Sequence, residues 1–192
     1  MSIIVAVRKN NEIAIGADTL ERLTSEYKRN SRKIIDFRET YIAAVGTSAH
    51  MDVLQSVLSR YEKKLSFNSR SEIFESFRVL HPILKDEYFL NPHEKDPGDY
   101  ESSQMNLLIA NPFGIFAVFS WRGVSEYERY YALGSGDQYA MGAMHATYEN
   151  RASKQIAEAG LLAACQFDDG CAAPIEVCLI RAATLTARAS SR

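Results

Sequence analysis

Runs of β-like sequence alternate with pairs of helical patterns in this chain of 192 residues. The order is strands, two helices, strands, two helices, strand. That order predicts layered α+β architecture and argues against alternating βαβ units, which would intersperse single helices between strands. The β-like runs are residues 2–8, 12–17, 33–37, 40–45, 104–110, 113–120, 123–127, 130–133 and 174–180. One helix is predicted over residues 48–65, where Leu54, Leu58, Tyr61 and Leu65 recur at helical spacing. A second begins at Ser69, with Glu72 three residues on as a capping box and Ile73, Phe77, Leu80 and Leu84 as its apolar line. Pro82 is expected to kink or divide it. Two more helices are predicted over residues 139–148, opened by Gly134-Ser135-Gly136, and over residues 153–167. Residues 91–103 read as a polar loop, with Pro92, Pro97 and Gly98. One domain is expected over residues 1–180, with 181–192 a frayed tail rich in Ala, Ser and Arg.

The first two β runs read as a hairpin turning at Lys9-Asn10-Asn11. Pairing Arg8 with Glu12 sets Val7 against Ile13, Ala6 against Ala14, Val5 against Ile15 and Ile4 against Gly16. Every pair is chemically compatible, and Asp18 then falls opposite Ser2. A carboxylate is thus expected beside the N-terminal end of the chain.

Composition narrows the function classes. The net charge is −2, from 22 Lys+Arg against 24 Asp+Glu, which removes the electrostatic case for a nucleic-acid binder. No apolar run reaches the roughly 18 residues of a membrane span. The first residues lack the basic start and apolar stretch of a secretory signal. The three cysteines, Cys165, Cys171 and Cys178, are odd in number and form no Cys-x-x-Cys pair, so neither a disulfide framework nor a zinc site is expected. The four histidines are scattered. The expected setting is a reducing cytoplasm, with no metal and no cofactor.

The residues also resemble a family. The stretch from Ser2 to Asn10, Gly16-Ala17-Asp18-Thr19 and the basic run from Lys28 to Lys33 resemble the start of mature proteasome β-subunits, especially the bacterial HslV type. Ala44-Val45-Gly46-Thr47-Ser48-Ala49 resembles the small-residue turn that follows there, Gly134-Ser135-Gly136 a later Gly-Ser-Gly element, and Phe167-Asp168-Asp169-Gly170-Cys171 an Asp-x-x-Ser element. Each piece alone has an ordinary reading. Asp18 could be a turn former, Lys33 an edge charge, Gly134-Ser135-Gly136 a helix-entry turn and Cys171 a small filler. What carries the resemblance is the ordered set, running from residue 2 to about residue 180. The middle of the chain, with His81-Pro82-Ile83-Leu84-Lys85 and the segments around Met105 and Met144, is more similar to the bacterial proteasome homologues found chiefly in β-proteobacteria.

The resemblance implies an N-terminal nucleophile hydrolase, with two antiparallel sheets between helical layers in an αββα sandwich. It implies that removal of Met1 exposes Ser2 as nucleophile, its own α-amine serving as base. An α-amine with a pKa near 7.7–8.0 suits that task at neutral pH. Lys33 then matches the lysine that holds the amine unprotonated, and Asp18 its carboxylate partner. Gly46 matches the glycine whose N–H stabilises the oxyanion, and Ser135 and Asp168 match the groups that hydrogen-bond the amine. The chain is expected to begin at its nucleophile, without a long propeptide or an N-terminal helix. Homo-oligomeric stacked rings acting on unfolded polypeptides are implied; a ring-shaped ATPase unfoldase is a partner the resemblance allows, and nothing in the chain identifies one. Two departures stand out. Ser replaces the usual Thr, losing the methyl that restricts χ1, so slower chemistry is expected. Cys171 replaces a supporting Ser, and a thiol is a weaker donor. The alternatives are a ring-forming structural or binding subunit with weak or absent catalysis, and an amidase for small molecules with a site open to solvent.

Overall fold

The computed structural model describes residues 2–23, 26–93 and 100–183. In chain order the strands and helices are β1 (Ile3–Lys9), β2 (Glu12–Asp18), β3 (Leu20–Leu23), β4 (Glu26–Arg29), β5 (Ile34–Phe37), β6 (Thr40–Val45), α1 (Ala49–Arg60), α2 (Arg70–Asp86), β7 (Asn106–Asn111), β8 (Gly114–Val118), β9 (Val124–Tyr127), β10 (Tyr130–Gly134), α3 (Asp137–Thr147), α4 (Ser153–Phe167) and β11 (Ile175–Arg181). Among the described residues two large antiparallel sheets result, ordered β10-β1-β2-β11 and β5-β6-β7-β8-β9, beside a separate two-stranded β3-β4 sheet. Three apolar layers hold them. Ile4, Ile15, Leu108 and Ile115 fill the space between the sheets. Leu54, Leu58, Ile73, Phe77 and Leu80 of α1 and α2 cover the outer face of the larger sheet. Ile156, Leu161 and Met144 of α3 and α4 cover the outer face of the smaller one. This is the αββα sandwich.

The N-terminal hairpin differs from the expected register by one residue. Lys9 faces Glu12, Arg8 faces Ile13, Val7 faces Ala14, Ala6 faces Ile15 and Val5 faces Gly16. The turn needs two residues, Asn10 and Asn11, because Asn10 adopts a positive φ of 55°, which asparagine tolerates well. The apolar pattern could not expose the slip. Ile3 to Val7 are fully buried, so β1 has no polar face to penalise a shift of one. In the observed register Asp18 comes opposite Ile3, one residue further in than expected.

Three further expectations change. Pro82 does not divide α2, which runs unbroken from Arg70 to Asp86. Pro82 and Arg78 are both exposed, so the missing ladder bond falls on the solvent side while the apolar line stays packed. The helix expected over 48–65 ends at Arg60, followed by a short 3-10 turn over Glu62–Lys64. The β3–β4 hairpin was not expected at all; its four-residue strands are too short to show a period. Ser69 does cap α2, accepting the Glu72 N–H at 3.2 Å, although the Glu72 carboxylate turns to the Ser66 hydroxyl instead of closing the box. Part of the expected polar loop (94–99) and most of the expected tail (184–192) lie outside the described residues, and Arg181 belongs to β11.

Candidate active site

Asp18, at the end of β2, organises the region around Ser2. Its side chain is fully buried. Oδ1 accepts the Ile3 N–H at 2.9 Å and the Lys33 ammonium at 2.7 Å. Oδ2 accepts the Leu20 N–H at 3.1 Å and the Ala172 N–H at 3.4 Å. A carboxylate in so dry a place needs this full complement of donors. Lys33, just before β5, is itself only 7% exposed, so the ion pair bridges the two sheets inside the protein. Through the Ile3 N–H, the same carboxylate fixes the first residue of β1.

Ser2 is held from the other side as well. Its carbonyl accepts the Ser135 N–H at 3.0 Å, at the point where β10 leaves the sheet. The intervening Gly134 has φ 129°, and a Cβ there would lie 1.9 Å from the Ser2 carbonyl oxygen. Only glycine allows β10 to approach the N-terminal residue so closely. Beyond it, Ser135 Oγ donates to Asp168 Oδ1 at 2.9 Å. That oxygen also accepts the Gly170 N–H at 2.9 Å and the Cys171 thiol at 3.3 Å. Cys171 therefore occupies a donor position, as a serine would. Burial first, then its bond to Asp168, pushes the thiol up to about 12. Burial and the nearby charge of Asp18 push Cys165 up to about 11. Neither is a thiolate at neutral pH, so neither competes as a nucleophile.

Ser2 opens onto a cavity of about 550 Å³, whose wall includes Lys33, Gly46 and Thr47. Gly46 follows β6 and also has a positive φ, 121°. The structure thus brings together all six residues singled out in the sequence. Ser2, Lys33 and Gly46 line the cavity, Asp18 is buried beneath it in its pair with Lys33, and Ser135 and Asp168 form a chain of hydrogen bonds behind Ser2.

Two residues next to the site were not singled out as candidates from the sequence. Gly134 reads as helix-entry punctuation until the position of the Ser2 carbonyl is known. His50 lies in the first turn of α1, four residues after Gly46, a spacing that could have flagged it. Its Nδ1 would sit 3.5 Å from a Cβ at Gly46 and, among the described residues, is buried without a hydrogen-bond partner. Burial lowers the His50 pKa. The unfolded chain therefore binds the proton more readily, and stability should fall as pH drops below about 6.5. His50→Gln is expected to flatten that acid-side loss. Urea unfolding of both proteins at pH 7.5 and 5.5 checks this, and equal slopes with pH would contradict it.

No protein-family model matches the chain. Comparison with solved structures is informative. The fold is shared with eukaryotic HslV from Trypanosoma brucei, at 15% identity and a TM-score of 0.73 over 93% of this chain and 99% of that one. A bacterial proteasome homologue (BPH) of Thiobacillus denitrificans, in complex with epoxomicin, is 33% identical with a TM-score of 0.87, covering 95% of this chain and 100% of that one. Another structure of the Thiobacillus denitrificans protein is 34% identical with the same TM-score. Among curated proteins, a proteasome subunit beta of Nanoarchaeum equitans is 26% identical over 159 residues, 77% of this chain and 74% of that one. The fold defines an N-terminal nucleophile hydrolase architecture. Within that class, the chain belongs to the proteasome β/HslV family.

Proposed function

We propose that this protein is a peptidase subunit that hydrolyses peptide bonds through Ser2 once Met1 has been removed, and that it works within a ring-shaped homo-oligomer in the cytoplasm. The observation that carries the reading is the double anchorage of Ser2 at the mouth of the cavity. Asp18 holds the following N–H and pairs with Lys33, while Ser135 holds the Ser2 carbonyl. A terminal nucleophile needs such fixing, because a frayed first residue would lose the orientation that catalysis requires.

In the proposed reaction the Ser2 α-amine takes the hydroxyl proton as Oγ attacks the peptide carbonyl. The Gly46 N–H receives the oxyanion, an interaction typically worth about 3 kcal/mol. The intermediate collapses as the amine returns the proton to the leaving nitrogen, and water then attacks the acyl-Ser2 ester by the same route. The Lys33 ammonium favours the unprotonated amine through charge repulsion. Enclosure in a ring would confine this activity to unfolded chains that can enter.

Removal of Met1 tests the reading. The trimmed protein is expected to hydrolyse unstructured peptides, with kcat/KM rising through the pH range in which the amine loses its proton. The form that retains Met1 has no free amine on Ser2 and should be inactive. Equal activity in the two forms would overturn the proposal.

A further inference from the structure

We infer that His81, Glu101 and Arg122 form a pH-sensitive clasp, in which protonation of His81 frees the turn between β8 and β9 from α2. The clasp shares no residue with the cavity at Ser2 and is independent of the peptidase reading.

Segments distant in sequence meet at the clasp. His81 projects from α2 and is only 9% exposed. Glu101 precedes β7 and is followed by the buried Ser102 and Ser103. Arg122 lies in the turn between β8 and β9, where its N–H donates to the Phe119 carbonyl at 2.7 Å and the Phe119 N–H donates to the Gly123 carbonyl at 3.0 Å. One nitrogen of the Arg122 guanidinium donates both to His81 Nδ1 at 3.2 Å and to the Glu101 carbonyl at 2.5 Å. The other ring nitrogen, Nε2, lies 3.1 Å from the Glu101 carboxylate, whose second oxygen accepts the Lys85 ammonium at 2.6 Å.

These partners fix the protonation state of the ring. A guanidinium offers donors only, so Nδ1 accepts and carries no proton. Nε2 then holds the ring proton and donates it to the carboxylate. The bond from Lys85 first, then that from His81, holds the Glu101 carboxyl down at about 2, so it stays ionised well below neutral pH. Neutral His81 thus satisfies both neighbours. A second proton would go to Nδ1, turning the acceptor for Arg122 into a donor and setting two cations 3.2 Å apart. The charged groups placed against His81 are Lys85 on its own helix, Glu101 and Arg122; Arg78, one turn earlier on α2, is engaged with Glu75. Glu101 keeps its bond to a charged ring, so the loss falls on Arg122.

The turn is built to respond. Arg122 has a φ of 64°, a left-handed conformation uncommon for a residue with a long side chain. Such a conformation persists only while its surroundings hold it, and the acceptors that hold Arg122 are His81 Nδ1 and the Glu101 carbonyl. Losing one of them and gaining a repulsion favours a relaxed turn. The result is one element with two states and a proton that chooses between them, over the pH range in which imidazoles titrate.

Trp121, next to Arg122 and half-exposed, is the only tryptophan of the chain, so its fluorescence reports on the turn directly. The test records the emission of the full-length protein in the native baselines of urea titrations at pH 7.5 and pH 5.5, for wild type, His81→Gln and Arg122→Ala. Wild-type emission is expected to move to longer wavelength at the lower pH, as the indole meets more water. A glutamine side chain offers a donor and an acceptor and does not titrate, so His81→Gln should keep the pH 7.5 spectrum at both values. Arg122→Ala, a second variant in case the first folds poorly, should show the released spectrum at both. A wild-type spectrum that does not move to longer wavelength, or a shift of wild-type size in either variant, would overturn the inference.

Discussion

Ser2→Ala should reduce peptide hydrolysis by at least about a thousandfold while leaving the fold and its unfolding in urea close to wild type. The first figure follows from the nature of the role. A covalent nucleophile has no substitute in the site, and single removals of such groups cost as much as disabling the whole catalytic unit. The second follows from the structure. Two contacts that fix Ser2 run through its backbone carbonyl and the adjacent Ile3 N–H, and alanine keeps both. Ser2→Thr makes the complementary variant. It restores a hydroxyl and adds a β-methyl that restricts χ1, so activity should rise above that of the serine protein. Initial rates on one peptide, with urea unfolding alongside, check both. Substantial activity in the alanine variant would remove Ser2 from the mechanism.

Asp18→Ala is expected to damage stability and activity together. It deletes the acceptor for the Ile3 and Leu20 N–H groups and leaves the Lys33 ammonium buried without its carboxylate. Removing one member of a buried ion pair typically costs about 3–5 kcal/mol, because the survivor keeps its desolvation penalty. That is a large fraction of the 5–15 kcal/mol that holds an ordinary domain together. Asp18→Asn should be milder for folding, since an amide oxygen still accepts one of the N–H groups, yet should remain poorly active because the charge opposite Lys33 is gone. Urea unfolding and peptide hydrolysis on the three proteins separate these effects. An alanine variant within about 1 kcal/mol of wild type would show that the pair does not carry the load assigned to it.

Much of this was legible in the sequence because helices and turns announce themselves locally. The limits of α4 follow from its periodicity, and Ile73, Phe77, Leu80 and Leu84 form the buried stripe that their spacing predicts. Ser69 caps α2 for the reason a serine three residues before a glutamate should. The site residues emerged from an ordered resemblance, since no single one is distinctive. What stayed hidden depended on packing between distant segments. The hairpin register slipped because β1 is buried on both faces, so alternation carried no information. Even so, Asp18 reached the N-terminal end, because a shift of one residue moves it only from Ser2 to Ile3. The demand for glycine at 134 arises from the Ser2 carbonyl, more than a hundred residues away in sequence, and no local pattern encodes that approach. Pro82 misled for the opposite reason. A strong local rule yielded to a helix whose apolar face is packed along its whole length.

The proposed mechanism requires Ser2 to present a hydroxyl and a free amine together. Intact-mass spectrometry of the full-length protein after incubation with epoxomicin, a peptide epoxyketone, reads both at once. The hydroxyl can add to the ketone and the amine can open the epoxide, so the adduct gains the whole mass of the inhibitor. The account predicts a protein lacking Met1 that carries one inhibitor mass, mapped to the peptide beginning at Ser2 and absent in Ser2→Ala. A protein that keeps Met1 and gains no mass would contradict it.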